Sequence, residues 1–371
     1  RTTSFVFRTT TVEAMGSEAA AGPLAHVFAV VLAGGKGERF WPLSTGTEPK
    51  AFLRLVGDES LLQATVRRAR SLVPWAQILV VAGRAHAGLV RQQLPELPDG
   101  NLLLEPVGRD TAAAIGLASL HLERIDREAV MAVLPADHHV PDVEAFAAVL
   151  RRAIGLVGLR PSWVVTVGIP PTRPETGYGY LEVGDSLPEP PGAFRVRRFM
   201  EKPDVRTAEG LLRGGRHYWN SGIFLWRTAT IQHLLSRFMP AEWDAFCRIR
   251  AAWGDQAVPE REFEAFRRLS IDYGVLERIE GDVALIPADF SWDDLGSWDA
   301  LARVLPLQAD GNVVVGDVRS LDTSGSVIVS AGRQVATVGL SGMIVVASKD
   351  GVLVCPRGRS QEVRRITGES R

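Results

Sequence analysis

The sequence predicts an α/β protein with a mostly parallel sheet, followed by a small all-β unit at its C-terminal end. Three observations predict it. From 27 to 167, short apolar runs of strand length alternate with stretches of helical periodicity. Those runs are unbroken, as in strands covered on both faces. From about 311 onward the helical pattern stops, and short valine-rich runs are spaced by Gly, Asp and Ser.

Val27–Leu32 reads as a buried strand, ended by Gly34-Gly35. Helical periodicity follows at 60–73, then a strand at Ile78–Val81, a helix near 85–94 and a strand at Leu102–Leu104. Thr111–Ile125 is an Ala- and Leu-rich helix, Val130–Leu134 a strand, 142–157 a helix and Val164–Val167 a strand. The pattern is then mixed, with strands near 178–183, 194–201 and 220–227 and helices over 228–279. Valine-rich runs at 313–315, 327–329, 344–346 and 352–354 form the β-rich tail, a small β-helix or sandwich without a clean repeat. The expected organisation is 1–24 as a disordered or non-native extension, 25–305 as the main α/β domain and 306–371 as the β-rich domain. Residues 1–14 are rich in Arg, Ser and Thr, lack a signal-peptide core, and precede Met15 as a candidate natural start.

The chain has 371 residues, a length expected for about two domains, and a formal net charge of −1. No global field draws it to nucleic acid or an anionic membrane, and no apolar run approaches the roughly 20 residues of a membrane helix. The two cysteines, Cys247 and Cys355, have no zinc or redox spacing and are expected to be reduced thiols in a cytoplasmic protein. Anions must therefore be bound by local groups. Of 42 basic residues only Lys36, Lys50, Lys202 and Lys349 are lysine. Where charge alone serves, this chain uses Arg, so a surviving Lys marks a need for a compact ammonium.

In parallel sheets ligands bind at the carboxyl ends of strands, which selects the loops 33–42, 105–111, 135–140 and 168–180. The first holds Ala33-Gly34-Gly35-Lys36-Gly37-Glu38-Arg39, whose glycines let backbone N–H groups approach a phosphate and whose Arg39 can fork onto phosphate oxygens. A plain strand-to-helix turn has the same composition. A dinucleotide fingerprint fails at Phe40, which removes the case for an NAD-dependent oxidoreductase, and no P-loop spacing occurs. Lys50 follows Pro49 and precedes Ala51-Phe52-Leu53, a setting that buries the stem and aims the head.

Asp137 follows the strand 130–134 and is placed to hold Mg²⁺, or to cap a turn. The adjacent His138 and His139 lack a third soft ligand for zinc. Asp293 and Asp294 lie between Trp292 and Trp298, and one of them would complete an acidic clamp with Asp137. Paired acids also suit glycoside hydrolysis, which leaves the glycine loop and the lysines without a role. Tyr178, Gly179, Glu201, Lys202 and Asn220 fall in segments that mix amide, acid and aromatic groups suited to a sugar phosphate, though each also fits an ordinary turn.

Together these segments resemble the mannose-1-phosphate guanylyltransferases, within the sugar-nucleotide pyrophosphorylases. The matching stretches are LAGGKGERFWPLS (32–44), PKAFL (49–53), EPVGRDTAAAIGLA (105–118), LPADHHV (134–140), RPETGYGYLE (173–182), RFMEKPD (198–204), WNSGIFLW (219–226), SIDYGVLE (270–277) and WDDLGSW (292–298). Nine motifs in family order over about 270 residues are specific together. The resemblance implies a Rossmann-like nucleotidyltransferase domain followed by a short left-handed β-helix. It implies that GTP and mannose 1-phosphate react to GDP-mannose and pyrophosphate, with Mg²⁺ as cofactor. By motif, Ala33, Gly34, Gly35, Gly37, Arg39 and Lys50 would hold the triphosphate, and Arg109 and Thr111 lie in the base-binding segment. Asp137 and Asp294 would bind the metal, with Asp137 also at the nucleotide. Tyr178, Gly179, Glu201, Lys202 and Asn220 would hold the sugar phosphate. Arg39, Lys50 and Lys202 are the expected catalytic cations.

Some residues depart from the family pattern: Ala51 where Gln is common, Glu48 where a base is common, and Asp293 as an extra acid. The isomerase domain fused to some relatives has no counterpart here, so no isomerase activity is expected. UTP or dTTP with glucose 1-phosphate is the neighbouring substrate reading. A non-catalytic GDP-sugar-binding subunit is the rival from another class, disfavoured because the acids and lysines are intact. A homodimer through the β-rich tail is an expectation from its exposed strand edges.

Overall fold

A computed structural model describes residues 22, 24–35, 37–253 and 257–367. Most of the expected 1–24 extension, and Lys36, lie outside the described residues.

Strands and helices alternate through β1 (Val27–Leu32), α1 (Leu61–Arg70), β2 (Ile78–Gly83), α2 (Ala87–Gln93), β3 (Leu102–Glu105), α3 (Asp110–Ile125), β4 (Val130–Pro135), α4 (Val143–Leu159) and β5 (Val164–Ile169). Next come β6 (Tyr180–Ser186), β7 (Phe194–Met200), α5 (Val205–Gly214), β8 (His217–Arg227), α6 (Thr228–Phe238), α7 (Pro240–Ala251), α8 (Ala257–Ala265), α9 (Ile271–Gly274), β9 (Val283–Pro287) and α10 (Leu301–Val304). Helix starts follow local chemistry. Ser60 and Gln63 form a reciprocal capping box at α1, and Asp142 and Asp204 cap α4 and α5.

The nine strands form one sheet in the order β3-β2-β1-β4-β8-β5-β9-β7-β6. β3, β2, β1 and β4 are parallel, as are β5 and β9. β8 runs antiparallel between β4 and β5 and splits the parallel set. The sheet is therefore mixed, and β9 is a strand that periodicity alone does not reveal. Two apolar layers cover its faces. One includes Val31, Leu62, Val80 and Leu150. The other includes Val30, Leu79, Ile115 and Phe246, with no room for a β-carbon at Gly116 beside the Phe246 ring.

Beyond 311 lie β10 (Val313–Val315), β11 (Val318–Leu321), β12 (Val327–Ser330), β13 (Val335–Val338), β14 (Met343–Ala347) and β15 (Val352–Pro356), ending in α11 (Arg364–Thr367). β10, β12 and β14 stack in parallel, as do β11 and β13, while β15 closes the larger sheet antiparallel. Val318 pairs with Val335 and Val327 with Ile344, steps of 17 residues, whereas Val313 pairs with Val327, a step of 14. The coils stack without a uniform sequence period. The main core of this unit is shared with the α/β domain: Val313, Val327, Ile344 and Val346 pack in one cluster with Phe40, Leu53, Leu295 and Trp298.

Candidate active site

The glycine turn leaves the carboxyl end of β1, and Ala33 is anchored there by its N–H to the Val81 carbonyl at 2.8 Å. Gly34 and Gly35 continue the turn. Gly37 has φ 63°, and a β-carbon there would collide with the β-carbon of Lys50. Only glycine lets the turn pass so close to the lysine. Arg39 follows in a single helical turn and donates to the Gly296 carbonyl at 3.3 Å.

Lys50 is buried, and its ammonium donates to Asp137 Oδ2 at 2.8 Å and to the Asp294 carbonyl at 2.6 Å. The Phe40 ring centroid is 5.7 Å away. The loops after β4 and β9 are zipped together by paired main-chain hydrogen bonds between His139 and Asp293 at 2.9 and 3.1 Å. These contacts bring Asp137, Asp294, Lys50 and Arg39 into one place. Burial alone would raise the Asp137 carboxyl, but the Lys50 charge and its hydrogen bond hold it below the usual carboxylate range. Burial pushes His138 down, and its Nδ1 accepts from Trp292 Nε1 at 3.2 Å.

The adjacent acids divide their roles. Asp293 is buried, takes two hydrogen bonds from Arg303 at 2.6 and 2.9 Å, and caps the N–H of Leu295. Asp294 Oδ1 accepts from the Tyr178 hydroxyl at 2.6 Å and from Gly296 N at 2.9 Å. Leu295, at φ 46°, makes the tight turn that separates them. Among the described residues no group of three or more His, Cys, Asp or Glu could hold a metal ion. The Asp137 carboxylate and the Asp294 main-chain carbonyl meet at Lys50, and the Asp294 carboxylate is turned toward Tyr178 and Gly296.

The second half of the site is a small cleft lined by Tyr178, Gly179, Glu201, Asn220, Asp272 and Asp294, among others. Tyr178 is wedged edge-on against Trp219 and Trp292. A β-carbon on Gly179 would lie 2.5 Å from Glu201 Oε2, so this glycine makes space for that acid. Lys202, at φ 45°, donates to Glu201 Oε1 at 2.6 Å. Asn220 donates to Asp272 Oδ1 at 2.8 Å. Asp272 is a site residue that sequence reasoning missed, although it lies within the SIDYGVLE motif. Burial first, then the Glu201 charge, pushes its carboxyl up to about 6.

The 105–111 segment leads from β3 into α3. Arg109 spends its guanidinium on the carbonyls of Phe263 and Glu264 at 3.1 and 2.5 Å. Thr111 Oγ1 accepts from Ile271 N at 2.8 Å. Both tie α3 to the 263–271 chain rather than facing the glycine turn. The group that does face it is Glu105, at the end of β3, with Oε2 4.0 Å from where a Gly34 β-carbon would lie. Glu105 is 5% exposed, and its buried Oε1 has no hydrogen-bond partner. Burial, then the Asp110 charge, pushes its carboxyl up to about 7.

A glycine turn, a buried lysine joining Asp137 to the Asp294 loop, and a polar cleft beside them are the arrangement of a sugar-phosphate nucleotidyltransferase. Residues 28–310 match the Nucleotidyl transferase family, and 311–369 the MannoseP isomerase/GMP-like beta-helix domain. The chain is 40% identical over 355 residues to the xanthan biosynthesis protein XanB of Xanthomonas campestris pv. campestris strain B100, covering 93% of this chain and 73% of that protein. It is 38% identical over 350 residues to the mannose-1-phosphate guanylyltransferase of Escherichia coli K12, covering 92% and 72%. A solved structure from Thermus thermophilus, described as a mannose-1-phosphate geranyltransferase, superposes with a TM-score of 0.83 at 40% identity, covering 92% of this chain and 98% of that one. The chain belongs to the mannose-1-phosphate guanylyltransferase family of nucleotidyltransferases.

Proposed function

We propose that the chain transfers GMP from GTP to mannose 1-phosphate, forming GDP-mannose and pyrophosphate. The observation that carries this reading is the single Lys50 ammonium joining the Asp137 carboxylate to the Asp294 loop beside the glycine turn.

The sugar phosphate oxygen attacks the α-phosphorus of GTP in line; the P–O bond to the β-phosphate breaks and pyrophosphate leaves. A phosphate monoester is already a nucleophile near pH 7, so no general base is needed. The obstacle is repulsion between two polyanions. Arg39 and Lys50 offset it on the triphosphate, and Lys202 on the sugar phosphate. Asp137 and Asp294 are the residues that would hold Mg²⁺, which when bound supplies a Lewis acid for the phosphate oxygens. Glu201, Asn220 and Asp272 present acceptors and an amide to sugar hydroxyls.

Glu105 gives the nucleotide choice a physical basis. Guanine offers two adjacent donors, N1–H and its amino group, to one ionised carboxylate. Uracil and thymine offer one N–H flanked by carbonyl oxygens that a carboxylate repels. Adenine has no ring N–H on that edge.

The test is a panel of GTP, UTP, dTTP and ATP against mannose and glucose 1-phosphates with Mg²⁺, following pyrophosphate. GTP with mannose 1-phosphate should dominate. A folded protein without turnover on that pair refutes the reading.

A further inference from the structure

Arg39, Lys50 and Asp294 come from three separate segments, yet each is rooted in the same apolar cluster. Phe40 adjoins Arg39, Leu53 follows Lys50 by one turn, and Leu295 adjoins Asp294. All three are buried in the cluster completed by Val313, Val327, Val329, Ile344, Val346 and Leu353 of the β unit. The polar contacts agree. Ser348 Oγ donates to the Pro42 carbonyl at 3.0 Å, and Trp298 Nε1 to the Trp41 carbonyl at 3.0 Å. Gly358 N donates to Asp299 at 2.9 Å, and Ser360 donates to the same carboxylate. Gly351 sits against the Trp41 ring, where a β-carbon would fall 2.7 Å from Cζ2. Most of the sugar cleft is rooted elsewhere: Tyr178 and Trp219 belong to the layer that holds Val31 and Leu150, which meets the nucleotide side at Ala51 and Phe52 beside Lys50.

We infer that the C-terminal β unit positions the nucleotide-handling residues Arg39, Lys50 and Asp294, as one rigid platform, through the core it shares with Phe40, Leu53 and Leu295. This rests on the roles proposed above for those three residues. Packed interiors transmit small displacements rather than absorbing them, and reacting groups tolerate little misplacement. A disturbance made in the β unit must therefore reach GTP handling first, and the sugar cleft only at second hand, through the hydrogen bond from Tyr178 to Asp294. Ser348, Gly351 and Trp41 are positioning residues in this account.

The experiment uses the full chain with Gly351→Ala, Ser348→Ala and, as a stability control outside the cluster shared with the β unit, Val157→Ala on α4. Val157 is fully buried and far from the machinery in the chain. Initial rates are taken with each substrate varied, alongside Tm, and isothermal titration with GTP reads the nucleotide half without turnover. Gly351→Ala should raise the GTP KM and Kd about five-fold and lower kcat about ten-fold, with the mannose 1-phosphate KM within about two-fold. Ser348→Ala, the milder change if Gly351→Ala folds badly, should move the same constants in the same direction. Val157→Ala should lower Tm without moving any of them. Unchanged GTP constants in both β-unit variants, or equal shifts for both substrates, would overturn the inference. Wild-type turnover on the proposed pair separates its failure from failure of the assigned reaction.

Discussion

The Lys50 ammonium donates to the Asp137 carboxylate at 2.8 Å and to the main-chain carbonyl of Asp294 at 2.6 Å, with the Phe40 ring 5.7 Å away. A point charge on a slim stem fills this position, and Gly37 presses against that stem. A guanidinium is planar, broader and always forked. Lys50→Arg should therefore keep the fold but lower kcat/KM by about 10²-fold, in the range of losing one transition-state donor. Steady-state rates with a circular-dichroism melt measure it. Wild-type kcat/KM in Lys50→Arg would remove the ammonium from the mechanism.

Adjacent acids should fail in different ways. Asp293 is held by Arg303 and caps Leu295, so Asp293→Asn should cost about 1–3 kcal/mol of stability by leaving a half-buried guanidinium under-paired. Asp294→Asn keeps the Gly296 and Tyr178 hydrogen bonds within reach of its amide oxygen and should change Tm little. Its loss should show as a raised Mg²⁺ requirement and a kcat drop of about 10²-fold or more. A Mg²⁺ titration of both variants reads the split. If Asp293→Asn shifts the Mg²⁺ curve and Asp294→Asn does not, the assignment of the metal acid is reversed.

How much of this is legible in the chain depends on whether a residue's role is local. Gly37, Arg39 and Asp137 sit in short motifs at strand ends, where the rule that ligands gather points, whereas Lys50 and Asp294 lie outside those loops and stand out by their local setting. Sequence does not separate Asp293 from Asp294, because Arg303 reaches only one of them and that choice is made by the turn at Leu295. Glu105 and Asp272 lie inside recognised motifs but read as ordinary acids. What marks them is burial and a neighbouring charge, Asp110 and Glu201, which are tertiary facts. Arg109 is expected in the base-binding segment by resemblance, and its hydrogen bonds to the carbonyls at 263 and 264 are a tertiary fact that the motif does not announce. The insertion of β8 and the place of β9 beside β5 follow from sheet order, which apolar runs do not encode. The coil stacking escapes notice because its steps are unequal, 14 residues from Val313 to Val327 and 17 from Val327 to Ile344.

Asp272 faces the sugar cleft and is shared between Asn220 and the field of Glu201. Asp272→Asn removes a hydroxyl acceptor while the amide can still pair with Asn220. The mannose 1-phosphate KM should rise about ten-fold, with the GTP KM within about two-fold. The gap between mannose and glucose 1-phosphates should narrow. A change confined to the GTP KM would place Asp272 outside sugar recognition.

Glu105 carries a pH signature whose sign follows from its environment. Burial raises its carboxyl to about 7 from an ordinary value near 4.5, so the folded chain binds this proton more tightly than the unfolded chain. Stability is therefore highest below the ordinary value and falls as pH rises through to about 7, by an amount on the order of a few kcal/mol. Guanine reverses the preference, because its two donors need the ionised carboxylate. GTP binding must release the proton at pH 6 and need not at pH 8. The GTP KM should accordingly fall as pH rises across that interval. In Glu105→Gln one donor meets an amide N–H₂ instead of an oxygen. The GTP KM should rise roughly 10- to 100-fold, and this part of its pH dependence should vanish. The triphosphate's own ionisation is common to both proteins, so the difference between the two pH profiles isolates Glu105. Parallel profiles with equal KM values would show that the orphaned carboxylate beside Gly34 does not read the base.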